Sequence, residues 1–220
     1  MVTLDGIEIE SQVEGLVAGL VVARGCRVAP AGPALSQTLD QAIAAAALRT
    51  DLEAPTKLVR DLLRHGRYKP TGRGKPASEY LVNAAKEARF PRINNLVDAN
   101  NLVSLESLLP ISLIDLRRAG AHQFRLRRGK PGEVYVFNAA GQTIELEDLL
   151  LVSRLPDDVA CANPVKDSMA TKLDDQAQDV LGVLYAPSGL HQVLAQATRR
   201  FAEVLATMAD AERVEHAVLA

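Results

Sequence analysis

The sequence predicts an α/β (α+β) fold, a mixed β-sheet packed with helices in a single compact domain. Three observations lead there. The run from Gly15 to Val28, GLVAGLVVARGCRV, is apolar and rich in valine, as a buried strand with a glycine kink would be. The segment from Leu190 to Met208 places Leu190, Val193, Leu194, Ala197, Phe201, Val204, Leu205 and Met208 on one helical stripe. Between these two, helical periods give way to short apolar segments broken by Gly and Pro turns. A chain of 220 residues can bury a proper core, and with only 4% aromatics that core must be mostly Leu, Val, Ile and Ala.

The elements follow in order. Pro30, Gly32 and Pro33 end the first strand. Ser36 or Thr38 is then expected to cap a helix, SQTLDQAIAAAALRT, with a narrow alanine-rich apolar face. A second helix is expected from Thr56 to His65, with Leu58, Leu62 and Leu63 inward, stopped by Gly66. The stretch GRYKPTGRGKP is a loop by composition, and Ser78 is expected to cap the helix SEYLVNAAKEARF. Pro91 and Pro110 bracket a further helical segment. Gln123–Arg127 and Glu133–Asn138 read as strands around the turn at Gly129–Gly132, and 142–154 holds short sheet segments. Ala160–Leu173 starts as a strand and turns polar, and Val180–Tyr185 reads as the final strand.

Charge is uneven. Residues 1–56 carry net −4, residues 57–140 net +9 and residues 141–220 net −7. A basic middle on a near-neutral chain fits a local contact to a polyanion better than a long duplex footprint, so DNA is not an expected partner. No apolar run reaches the length of a membrane span, and the start shows no signal pattern, so a cytoplasmic protein is expected. Cys26 and Cys161 have no metal or redox spacing and are expected as buried, reduced thiols. The four histidines are scattered. There is no G-x-S-x-G elbow, no H-E-x-x-H and no Walker spacing around Gly72–Lys75, and no metal or cofactor is expected.

Three constellations could carry chemistry. The basic loop holds Arg64, Arg67, Tyr68, Lys69, Arg73 and Lys75, cations for phosphates and an aromatic ring for a base. The competing reading is a solvated loop. The second is PRINNLVDANNLVSLESLLPISLID. Asn94, Asp98 and Asn101 share a helix face, and Asn95, Asn100 and Ser104 add neutral polar groups where a surface helix would carry Lys and Glu. Each Asn amide offers donors and acceptors, which suits a binding shelf; Asp98 also suits a brace on backbone N–H groups. The third is NPVKDSMATK, in which Asn163, Asp167, Ser168 and Lys172 could bind a ribose, an amino group, a phosphate or a developing oxyanion. The competing reading there is a helix start capped by Asp167 or Ser168.

The second segment resembles the editing module in the beta subunit of phenylalanyl-tRNA synthetase, whose helix reads roughly N-x-V-D-x-T-N-x-V, then Q-P and a closing Asp. The matching residues are Asn94 or Asn95, Val97, Asp98, Asn100, Asn101, Val103, Pro110 and Asp115, followed by Arg127, Gly132 and Glu133. The resemblance covers roughly residues 57–186, with the N-terminal strand and helix and the C-terminal helix completing the domain. It implies a free-standing aminoacyl-tRNA deacylase that takes the tRNA acceptor end and clears mischarged tRNA in trans. Asn100, Asn101, Ser112 and Lys172 would be catalytic; Asn94, Asn95, Asp98, Asn163, Asp167 and Ser168 would bind substrate; Arg127 would join the basic loop on tRNA. Two departures stand out. The family His is Ser112 here, and the glutamate of its later pocket strand has no counterpart in VLGVLY. They leave open a non-catalytic module that binds RNA or an amino acid, and, further off, an unrelated small-molecule enzyme on the same scaffold.

Overall fold

Strand β3 (Leu16–Arg24) is buried on both faces, which is why its sequence is apolar almost without interruption. A computed structural model describes residues 1–220 and places β3 inside a four-stranded antiparallel sheet. The other strands are β4 (Ile111–Asp115), β10 (Val180–Pro187) and β11 (Arg213–Leu219), in the order β11-β3-β10-β4. A second sheet runs β1-β2-β5-β8-β9, from β1 (Val2–Leu4), β2 (Ile7–Ser11), β5 (Gln123–Arg128), β8 (Leu150–Arg154) and β9 (Val159–Ala162). It is mixed because β2 pairs parallel to β5, with Ile9 opposite Phe124, while its other pairs are antiparallel. A small hairpin, β6 (Val134–Val136) with β7 (Thr143–Glu145), stands apart.

The layers follow from which side chains pack together. Val17, Val21, Ala23, Ile111, Leu113 and Leu184 face the helices α1 (Pro33–Leu48), α3 (Ala77–Lys86), α4 (Asn95–Ser107) and α6 (His191–Met208). Leu20, Val22, Ile114, Leu181, Val183 and Tyr185 face the second sheet, meeting Ile7, Ile9, Phe124, Leu126 and Val152. The order is helices, four-stranded sheet, five-stranded sheet. Two glycines set the helix-to-sheet distance. A Cβ at Gly19 would lie 2.0 Å from Thr198 Oγ1, and one at Gly182 would lie 2.5 Å from the Phe201 ring, so α6 can lie this close only over glycine.

Several expectations need correction. Helix α1 starts at Pro33 after Gly32, because proline is suited to the first turn; Ser36 and Thr38 lie inside it and donate back to the carbonyls of Ala31 and Ala34. Helix α2 (Glu53–Leu63) buries Val59 and Leu63, while Leu58 is exposed. Ser78 is buried in the first turn of α3, whose cap position is Pro76. Tyr185 does not end the sheet: β11 follows and pairs with β3 along its whole length. The short helix α5 (Leu116–Ala119), the β1–β2 hairpin and β4 are also additions to the sequence reading. Cys26 and Cys161 are both free and buried, and burial pushes each thiol up to about 12. No helix is long and apolar enough to cross a membrane.

Candidate functional site

Strand β4 is the edge of its sheet, and the polar segment 163–172 runs along it. Ser112 Oγ donates to the Asn163 carbonyl at 3.1 Å, Leu113 N–H donates to Asp167 Oδ2 at 3.2 Å, and Asp115 N–H donates to the Thr171 carbonyl at 2.9 Å. The segment thereby satisfies an edge that would otherwise present unpaired N–H groups. It is itself held from behind. Asn163 Oδ1 accepts from the N–H groups of Val165 and Lys166, both at 2.8 Å, and its Nδ2 donates to Tyr135, whose hydroxyl donates to the Lys166 carbonyl at 2.5 Å. Ser168 takes the Ala170 N–H at 3.2 Å, so its hydroxyl closes a turn of the segment.

This arrangement brings four side chains together. Tyr185 on β10 donates its hydroxyl to Ser112 Oγ at 2.9 Å. Val183 is the residue opposite Ser112, so Tyr185 is its diagonal neighbour on the same face. The single Ser112 proton can serve the Asn163 carbonyl or the Asp167 carboxylate. Burial pushes the Asp167 carboxyl up to about 6, although Ser112, the Leu113 N–H and the charge of Lys172 all favour its ionised form. Burial lowers the Lys172 ammonium, with the Asp167 charge opposing, and Lys172 Nζ donates to the Phe137 carbonyl at 2.5 Å. Burial likewise keeps the Tyr135 and Tyr185 phenols well above their ordinary range, so both remain donors.

The α4 residues do not join this group. Asn94 caps the helix, accepting from Val97 N–H at 2.9 Å. Asn95 is buried and spends its amide elsewhere: Oδ1 takes the Ala29 N–H at 3.0 Å, and Nδ2 donates to the carbonyls of Arg27 at 2.9 Å and Ala209 at 3.1 Å. Asp98 accepts from Ile93 N–H at 3.0 Å, the expected brace. Burial raises its carboxyl against that bond and the charge of Arg92. These three hold backbone, a role that leaves no atom of Asn95 for a ligand. Asn100 and Asn101 touch each other, Nδ2 to Oδ1, at 3.4 Å, and Asn100 Oδ1 is buried with no partner. No hydrogen bond joins them to Ser112, Asp167 or Lys172. Helix α4 packs on the face of the sheet that carries Ile111 and Leu113, whereas Ser112 opens on the other.

Phe137, whose carbonyl holds Lys172 Nζ, lines an open cleft of about 1080 Å³ between the basic loop and the β6–β7 hairpin; Ser112, Asp167 and Lys172 themselves do not line it. Arg67, Tyr68, Lys69, Arg73 and Lys166 form part of its lining, with Phe137, Val134 and Ile144; Glu133, Glu145 and Glu147 also border it. Tyr68 is partly buried, its hydroxyl donating to the Gly74 carbonyl at 2.6 Å, which closes the loop. The loop's other cations separate. Arg64 pairs with Asp61 and borders a second cleft between α2 and α3, and Lys75 borders neither.

Arg127 corrects the sequence reading most clearly. It is buried, and its five N–H groups are all spent: two on Glu133 (2.8 and 2.7 Å), one on Asp158 Oδ1 (2.8 Å) and two on the carbonyls of Arg128 (3.0 Å) and Asp158 (2.8 Å). It has no donor left for a phosphate. The residues that composition did not single out are Tyr135, Phe137, Lys166 and Tyr185. Tyr185 had a signal, a lone phenol ending the apolar run VLGVLY.

A profile of the B3/4 domain matches residues 69–204, more than half of the chain. The chain belongs to the B3/4 domain family. The matched region runs from Lys69 in the basic loop through β4 and the 163–172 segment into α6, while Arg67 and Tyr68 of the cleft precede it. The chain is also 30% identical, over 112 residues, to a phenylalanine–tRNA ligase beta subunit from Anaeromyxobacter dehalogenans (strain 2CP-C). That alignment covers 50% of this chain and 14% of the ligase subunit. The B3/4 assignment agrees with the resemblance in the α4 segment and with the mixed sheets packed with helices.

Proposed function

We propose that this B3/4 domain is an aminoacyl-tRNA deacylase, hydrolysing the ester of mischarged tRNA at the acceptor end. The observation that supports the reading is the buried Ser112–Asp167–Lys172 group, which reaches a cleft with a cationic wall through Phe137, the cleft-lining residue whose carbonyl holds Lys172 Nζ. The kinship with a phenylalanine–tRNA ligase beta subunit supports the choice of tRNA.

An aminoacyl ester is already activated, so the site needs a placed water and donors for the developing charge. With its carboxyl near 6, Asp167 is ionised at neutral pH yet basic enough to take a proton from water. The water oxygen bonds to the ester carbon. The carbonyl becomes an oxyanion facing Lys172, the bond to the ribose oxygen breaks, and the proton passes from Asp167 to that leaving oxygen. Ser112 and Tyr185 act as positioning residues, holding Asp167 and the Asn163 turn in register with β4.

The test is deacylation of a panel of correctly charged and mischarged tRNAs at substoichiometric protein. Selective turnover of a mischarged species, reduced tenfold or more in Asp167→Asn and Lys172→Met, is expected. A wild-type rate equal to the buffer blank would overturn the reading.

One observation favours a second reading, a module that binds an RNA end or an amino acid without turnover. Ser112, in place of the family His, is fully buried with both of its hydrogen bonds internal. Silence across the panel with acceptor-end binding intact would select it.

A further inference from the structure

Three cations on one wall of the cleft have no carboxylate partner. Lys69, Arg73 and Lys166 line it together and form no ion pair, whereas Arg67 on the same loop faces Glu147 at 3.5 Å. Phe137 organises this wall. The Lys166 ammonium sits over its ring, 3.9 Å from the centroid, and its carbonyl holds Lys172 Nζ. A cation over an aromatic face is fixed without being neutralised. One residue thus presents two ammonium groups, and Arg73 adds a third charge. Burial first, then the charges of Arg73 and Lys172, lower the Lys166 ammonium, so these groups repel one another. The acids of the cleft do not relieve this. Glu133 is committed to Arg127, Glu147 faces Arg67, and Glu145, though it borders the cleft, forms no ion pair with the three cations.

We propose that Lys69, Arg73 and Lys166, the last held over the Phe137 ring, form a seat for the phosphate of a nucleotide. A phosphate presents several acceptor oxygens and at least one full charge, and converging cations suit it better than a single carboxylate does. The apolar lining from Tyr68, Val134, Phe137 and Ile144 offers a surface for the base or sugar attached to it. The seat deepens the deacylase reading, because it would hold a phosphate close to the acylated ribose. It is tested by binding alone, so either can fail without the other.

The probe is a 5′-labelled, uncharged single-stranded RNA oligonucleotide, titrated by fluorescence anisotropy over a salt series. Wild type is compared with Lys166→Gln, the double variant Lys69→Gln/Arg73→Gln, Phe137→Leu, and Arg199→Gln as an exposed cation of α6 outside the cleft. Lys166→Gln is expected to weaken binding about fivefold, and the double variant tenfold or more. The slope of log affinity against log salt should fall by about 0.7 for each cation removed. Phe137→Leu keeps the carbonyl and loses the ring, so a threefold weakening with an intact melting curve is expected, and Arg199→Gln should bind as wild type. Unlabelled competitors separate the sources of the phosphate. Displacement by a nucleoside 5′-monophosphate in wild type and not in Lys166→Gln assigns the seat to a free nucleotide; displacement by RNA alone assigns it to an internal phosphodiester. Equal affinity and equal salt slope in wild type, Lys166→Gln and the double variant would overturn the seat, even if the protein deacylates tRNA. Loss of binding in those variants without turnover by wild type would retain the seat and remove the hydrolase.

Discussion

In the first turn of α4, Asn95 spends every polar side-chain atom on backbone belonging to other elements; along the cleft, Lys69, Arg73 and Lys166 spend none on a carboxylate. Both regions are polar in the sequence. What separates them is commitment. A buried group whose partners are all internal costs stability when removed, because the partners are left desolvated. A group held in place without a partner keeps its interaction for a ligand. Arg127 and Arg73 make the same contrast with one side-chain type, the first with five donors satisfied and the second with none in an ion pair.

The sharpest way to break the comparison is Arg127→Met. Removing the guanidinium leaves Glu133 and Asp158 facing each other's charge in a half-buried site, and a loss of about 3–4 kcal/mol is expected in urea denaturation. Because the freed Glu133 borders the cleft, RNA affinity is compared in the double variant Arg127→Met/Glu133→Gln, whose folded fraction should bind as wild type. The pH dependence gives a second check on the wild type. Burial works against both carboxylates, but hydrogen bonds from Lys130, Ser153 and Arg127 hold Asp158 well below its ordinary range, and Arg127 does the same for Glu133. Folded values below unfolded ones mean that this stability is present above about pH 4 and lost as pH falls through the folded values. Arg127→Met should flatten that acid limb. A variant as stable as wild type, with weaker RNA binding, would return Arg127 to the interface.

Asn95→Ala comes next. It strands the Arg27 and Ala209 carbonyls and the Ala29 N–H, and about 2–3 kcal/mol of destabilisation is expected by the same measurement. Asn100→Ala, by contrast, removes an oxygen that already lacks a partner and should cost less than 1 kcal/mol. Equal losses at the two positions would show that partner counts on α4 do not separate bracing from available groups.

That asymmetry also marks how far the sequence could be read. Strand β3, α4 and α6 were legible because burial on both faces or along one stripe leaves a pattern in the residues themselves. Strand β11 was not, since RVEHAVL mixes exposed and buried positions at a sheet edge and its partner β3 lies far away in the chain. The NPVKDSMATK segment was legible as polar, and its Asp167 and Lys172 lie near enough for each charge to act on the other. The side chains that shape the site from β6, the hairpin loop after it and β10, Tyr135, Phe137 and Tyr185, were hidden because tertiary packing decides which atom of each faces inward. Arg127 was misread for the same reason: a buried brace and an exposed phosphate contact have identical composition.

Asp167→Asn tests the committed and uncommitted classes at one residue. Burial raises this carboxyl to about 6 in the folded chain, above the unfolded value near 4. The folded state therefore holds the proton more tightly, and stability from this group falls as pH rises from about 4 to 6. Asparagine removes the buried charge while it can still accept from the Leu113 N–H. A gain of about 1–2 kcal/mol is expected at pH 7.5, with almost none at pH 4. Deacylation should fall in the same variant, and the wild-type rate should decline below about pH 6. A stability gain with deacylation unchanged would mean that Asp167 is a brace like Asp98, whose carboxyl burial also raises.

The smallest expected effect comes from Arg64→Gln. Arg64 belongs to the same basic run as Arg73, but its guanidinium pairs with Asp61 and borders the other cleft. An exposed pair of this kind is screened by solvent, so the melting temperature should barely move. RNA affinity should change less than twofold, with a salt slope equal to wild type, while Arg73→Gln lowers both. If the two arginines weaken RNA binding equally, the basic loop acts as a diffuse cationic patch, and the distinction between paired and unpaired cations on which the cleft rests fails at its most direct test.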